Sequence, residues 1–160
     1  LLEIGRSLMK RKTDLKRSAV IVFFGGQEWE SLGSRDFVGQ PFVPLVQTKA
    51  MFYLEMGGGT GEKEVFLAGS STRPSLNQMS KKFLEPLGIK EGRTMDPASH
   101  EFGRDRTPFQ DKGIPSLAFF TSDPRKLHLS RFSPESLDYE KLADATKLIY
   151  LSAYEFLTEP

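Results

Sequence analysis

Four side chains in this 160-residue sequence could do chemistry where they stand. Gln27 and Glu28 come directly after the apolar run Val20 to Phe24, Glu55 closes the run Phe52 to Leu54, and His128 follows Phe120 by eight residues. If these runs are strands of an open α/β sheet, the four residues gather beyond strand ends, in the crevice where such sheets bind ligands. Carboxylates and an imidazole converging there would suit zinc, which takes oxygen and nitrogen ligands of these types. Spacing alone leaves other roles open. A Glu behind a strand also serves as a solvated or helix N-terminal charge, and a lone His often serves structure.

The elements that must position these residues follow from hydrophobic periodicity. Leu1, Leu2, Ile4, Leu8 and Met9 recur at helical spacing, and the basic run Lys10 to Arg17 would sit at that helix's negative C-terminal end. No aromatic residue interleaves with those charges, so a solvated helix end is favoured over a nucleic-acid patch. Ser18 to Phe24, stopped by Gly25-Gly26, has the continuous apolar, β-branched profile of a central strand covered on both faces. A short helix is expected in the mixed segment that follows Glu30 and runs to Phe37, and then Pro41 and Pro44 impose a loop. Further strands are expected at Ala50–Leu54, Val65–Ala68 and Ser116–Thr121, with helices at Ser75–Leu84 and Leu137–Leu157. In the last helix Leu142, Ala145, Ile149, Ala153 and Phe156 share one face. Residues 88–112 read as irregular, with a turn near Pro108. Strands alternating with helices define an α/β layer architecture and a single domain over 1–160. Gly57 to Gly61 lacks the ending of a phosphate loop and reads as a turn. Trp29 is a wall of a substrate pocket or a packing residue, and His100 is a surface residue.

Composition excludes several functions. Twenty-two basic and 21 acidic residues leave a net charge of +1, so no chain-wide field holds a polyanion. The apolar runs are far short of the ~20 residues of a membrane helix. No cysteine is present, which removes disulfides, thiolate metal sites and thiol nucleophiles. The chain begins inside an apolar-periodic stretch, without Met, and is expected to be part of a longer protein.

The letters themselves carry a resemblance. Phe24-Gly-Gly-Gln-Glu-Trp-Glu-Ser-Leu-Gly-Ser-Arg35 resembles the segment FGGEEWGLLGSR of the co-catalytic zinc aminopeptidases, the secreted leucyl-aminopeptidase type. In the same register, Ala50-Met-Phe-Tyr-Leu-Glu-Met56 is similar to the family's AMINLDM, and Asp105-Arg-Thr-Pro-Phe109 followed by Gly113-Ile-Pro-Ser is similar to SDHxPF…GIPA. His128 falls where the family's YHTxxD histidine falls, and Leu137-Asp-Tyr-Glu-Lys-Leu142 resembles its LDYEKL helix start. The motifs stand in the family's order over residues 1 to about 157. The resemblance implies a zinc-exopeptidase-like mixed β-sheet flanked by helices, of which this chain would be the C-terminal part. It also implies a secreted or periplasmic location, and peptide or protein N-termini as partners.

Carried over position by position, the resemblance implies a damaged site. In the family the first of two adjacent glutamates is the general base and the second binds zinc; here these positions hold Gln27 and Glu28. Glu55 replaces the ligand Asp of the other zinc, and His128 keeps its imidazole partner. Leu127 stands where a Tyr would stabilise the oxyanion, and the DH pair becomes Asp105-Arg106, candidates for substrate contact together with Trp29. The two remaining ligands belong upstream of Leu1. A neutral amide accepts no proton at pH 7, so Gln27 removes base assistance worth roughly 10²–10⁴-fold in rate, or about 3–5 kcal/mol of barrier. A lost oxyanion donor at Leu127 costs about 3–4 kcal/mol more. Glu55 and His128 make a two-ligand half-site, short of three protein ligands, so weak zinc binding is expected. The resemblance thus implies a catalytically impaired aminopeptidase-like domain kept as a structural or peptide-binding module. An active aminopeptidase with upstream ligands is the enzymatic alternative, and a glutaminyl-cyclase-like transferase a third.

Overall fold

The computed structural model describes residues 1–55, 63–69, 72–92, 104–121 and 134–159. Among them the helices are α1 (Leu2–Lys10), α2 (Leu32–Gly39), α3 (Ser75–Lys81), α4 (Thr107–Asp111) and α5 (Tyr139–Thr158), and the strands are β1 (Met51–Glu55), β2 (Glu64–Ala68), β3 (Lys90–Glu91) and β4 (Ser116–Phe120). Gly57 to Gly61, His100, Leu127 and His128 lie outside the described residues.

The sheet order is β1-β4-β2-β3. β1 runs parallel to β4, in a register that sets Met51 opposite Ser116 and Glu55 opposite Phe120. β2 is antiparallel to β4 and parallel to β3, so the sheet is mixed. β4, the run Ser-Leu-Ala-Phe-Phe, is buried at every position, as a strand with neighbours on both edges and layers on both faces must be. Alternation along the strands sorts the rest. Phe52, Leu54, Val65, Leu67, Leu117 and Phe119 face a core closed by Ile4 and Leu8 of α1, Leu76 and Met79 of α3, and Leu148, Ile149 and Phe156 of α5. Tyr53, Phe66, Ala68, Ala118 and Phe120 face the opposite way. There Met51 meets Val38 of α2 and Phe109 of α4, with Phe24 and Phe37 beside them.

Two ends of α5 show local signals at work. Asp138 is its N-cap and accepts from the Lys141 amide at 2.9 Å, satisfying a donor the helix leaves open. At the other end Arg17 donates to the carbonyls of Phe156 and Glu159 at 2.5 and 2.6 Å, with its guanidinium 4.9 Å from the Phe156 ring centroid. The last cation of the basic run therefore serves the negative end of a helix distant in sequence.

The strand expected at Ser18–Phe24 is corrected. The segment makes no ladder, and Val20, Ile21 and Phe23 are exposed by 50, 39 and 65 %. A strand exists through hydrogen bonds to a neighbour, and β1 directs its ladder to β4. Smaller differences concern boundaries. α3 stops at Lys81 instead of Leu84, and the turn near Pro108 is a short helix with Pro in its first turn, where the missing N–H costs nothing.

Lys63 and Lys147 both contact Asp144 of α5, at 2.5 and 2.8 Å. Their hydrogen bonds, Lys147 first, hold the Asp144 carboxyl below the usual carboxylate range. A lowered native value means that stability is present above the unfolded value of about 4 and is lost as pH falls through the native value. Urea unfolding at a series of pH values should therefore show Asp144→Asn less stable than wild type at neutrality, with the gap closing below about pH 4. A gap that persists into strong acid would contradict this.

Candidate functional site

The loop between the extended segment 18–24 and α2 is built by close backbone approach. Gly26 has φ +69°, and Glu30 and Ser31 are left-handed at φ 54° and 58°. The amides of Trp29 and Leu32 both donate to the Gly26 carbonyl at 3.1 Å, Ser31 donates to Gln27 at 3.0 Å, and Gly33 donates to Gly25 at 3.1 Å. A Cβ on Gly33 would lie 2.6 Å from the Gly25 carbonyl oxygen, so only glycine allows the start of α2 to lie against Gly25. Gly33→Ala should cost about 1–3 kcal/mol as an overpacking change against backbone. Denaturant titration checks it, and a wild-type midpoint would refute the role of this contact.

This loop leaves Glu28 and Trp29 exposed, Trp29 by 75 %, and turns Gln27 toward the end of β1. The Gln27 amide nitrogen donates to the Tyr53 hydroxyl at 2.9 Å and to Glu55 Oε1 at 2.7 Å. Tyr53 and Glu55 stand two apart on one strand and so share a face. Asp105 reaches the same place from the 3₁₀ turn Arg104–Arg106 before α4. It is 3 % exposed and accepts from the hydroxyl of Ser34 in α2 at 2.7 Å. Burial, followed by the negative charges of Glu55 and Asp105 and the hydrogen bonds to them, holds the Tyr53 phenol well above its usual pKa, so it stays a neutral donor. Glu55 Oε2 is buried and without a hydrogen-bond partner. Arg106, 1 % exposed, directs its guanidinium to the carbonyls of Ala68 and Gly69 at 3.4 and 3.5 Å.

The structure thus brings Gln27, Glu55 and Asp105 together, leaves Glu28 and Trp29 at the surface, and contains Arg106 as a buried neighbour of the sheet end. The sequence reading missed Tyr53 and Ser34. The signal for Tyr53 was available: it stands at the Asn of AMINLDM, on the Glu55 face of the strand.

Zinc requires acceptor atoms pointing at one place. Among the described residues no group of three or more His, Cys, Asp or Glu side chains comes together. Glu55 offers one open oxygen, while its other oxygen takes an N–H from Gln27. A carboxylate has no proton to give, so the amide must present its nitrogen there and not its oxygen. Among the described residues, which do not include His128, this donor set falls short of the three protein ligands of a zinc site at Glu55.

Alongside the cluster lies a groove of about 900 Å³ between segment 18–24 and β1. Phe24, Phe52 and Leu54 give it apolar walls, and Gln27, Tyr53, Glu55 and Asp105 line its polar part.

A polar cluster beyond the carboxyl end of a strand lies where open α/β sheets bind ligands. The chain belongs to peptidase family M28, whose pattern matches residues 1–153. That family is typically zinc-dependent. The crystal structure of LapA from Legionella pneumophila superposes with a TM-score of 0.73 at 18 % identity, covering 99 % of this chain and 45 % of that one. The aminopeptidase from Aneurinibacillus sp. strain AM-1 superposes with a TM-score of 0.57, also at 18 % identity, covering 86 % of this chain and 34 % of its own. The chain spans less than half the length of either structure. No curated protein sequence matches it. Among the described residues no helix is long and apolar enough to cross a membrane.

Proposed function

We propose that this chain is part of an M28 peptidase domain with an impaired catalytic centre, retained to bind peptides or to support a larger protein. One observation carries the reading: at the position where the resembling motif has its proton-abstracting glutamate, Gln27 spends both amide hydrogens on Tyr53 and Glu55. A neutral amide in that state cannot take a proton from water. The groove beside β1 supports the binding role, since it joins apolar walls to a polar end, as small-ligand and peptide sites do.

The occupant we favour is a peptide or protein N-terminus, whose ammonium suits the acidic end formed by Glu55 and Asp105. Zinc binding is weak or absent, nucleic acid is not a partner, and export from the cytoplasm accompanies the resemblance. An active aminopeptidase is the second reading, favoured by the open oxygen of Glu55, which remains available as a ligand atom. Metal analysis of the intact protein, together with hydrolysis of aminoacyl-nitroanilides, decides between them. Little zinc and negligible turnover are expected. Near-stoichiometric zinc with strong turnover would overturn the impaired reading.

A further inference from the structure

Three departures from the resembling motifs meet at one point. Gln27 stands for a glutamate, Tyr53 for an asparagine and Glu55 for an aspartate, and Gln27 donates to both of the others, at 2.9 and 2.7 Å. Each change favours that contact. The amide supplies two N–H donors where a carboxylate supplies none, the phenol extends a hydroxyl from the strand, and the extra methylene carries Glu55 further out. Beside them Ser34 of α2 donates to Asp105 of the turn before α4 at 2.7 Å.

We infer that Gln27, Tyr53 and Glu55 form a metal-independent lock that ties the Gly25–Gly33 loop to the end of β1. The inference starts from the reading of Gln27 as a neutralised base but makes its own claim: the amide, held in place by the Tyr53 hydroxyl, stabilises the Glu55 carboxylate where a dication would otherwise be needed. An N–H donated to one oxygen of a carboxylate favours its charged form in a partly buried site without a metal. With a carboxylate at position 27 the same site would hold two like charges at hydrogen-bond distance and would lose its donor to Tyr53.

Thermal unfolding of the intact protein, in a chelator and in excess zinc chloride, tests the lock. Wild type should melt at the same temperature in both. Tyr53→Phe, which removes one hydroxyl and keeps the ring, should melt roughly 2–4 °C lower in both. Gln27→Glu should melt below wild type in chelator. A wild-type melting temperature that rises with zinc overturns the inference, as does Tyr53→Phe or Gln27→Glu melting like wild type in chelator. If Gln27→Glu fails to fold, wild type and Tyr53→Phe still decide. Strong peptidase turnover by wild type would count against the proposed function and leave these melting results standing. An unchanged Tyr53→Phe melt would count against the lock and leave the impaired reading standing.

Discussion

Gln27→Glu raises aminoacyl-nitroanilide hydrolysis by the intact, zinc-supplied protein by roughly 10²–10⁴-fold over wild type, the usual worth of a positioned general base. The substitution is nearly isosteric, so it changes proton affinity more than shape. The carboxylate would occupy the place now held by an amide 2.7 Å from Glu55 Oε1 and 2.9 Å from the Tyr53 hydroxyl. Such proximity disfavours two full charges and so raises the proton affinity of the pair, as in paired carboxylates. The gain should appear in kcat, because proton abstraction belongs to the chemical step, with smaller change in KM. A rate equal to wild type would show that the missing step lies elsewhere, with Glu55 or Leu127 as the remaining candidates.

Phe119→Ala lowers the stability of the fold by about 3–5 kcal/mol. Phe119 lies in the buried strand β4 with no exposed surface, and it stacks on Phe52 of β1 with ring centroids 6.4 Å apart and planes 19° apart. Removing the ring opens a cavity between the sheet and the layer formed by α1 and α5, where Ile4, Leu148 and Phe156 already pack the available space. Relaxation is limited because β4 is pinned by ladders to β1 and β2 on its two edges. Val46→Ala is the control, since Val46 is 83 % exposed and its truncation should stay within about 0.5 kcal/mol. Equal urea midpoints for the two variants would refute this assignment of the core.

Much of the architecture was legible because its signals are local. The apolar face of α5 needs only a repeat near 3.6, and the Asp138 cap lies beside the helix it starts. β4 announces itself as an unbroken apolar run between Gly113-Ile-Pro and a polar stretch. The mixed sheet flanked by helices followed from the resemblance and is what the structure shows. The Ser18–Phe24 segment has the same kind of composition as β4 but makes no ladder. Composition states what a strand would bury, while pairing depends on a neighbour that no local pattern names.

The candidate site divides in the same way. Residue types alone determined that position 27 carries an amide, that Glu55 ends a strand, and that the chain has no thiol chemistry, because protonation chemistry belongs to the side chain itself. Only the tertiary structure decided what those groups touch. It aimed the Gln27 amide at Tyr53 and Glu55, brought Asp105 and Ser34 in behind them from 71 positions apart in the chain, and left Glu28 and Trp29 in solvent. The physical reason is that a hydrogen bond of about 3 Å is set by the packing of whole elements against the sheet. The sequence names the donors and acceptors, and the folded backbone chooses the pairs.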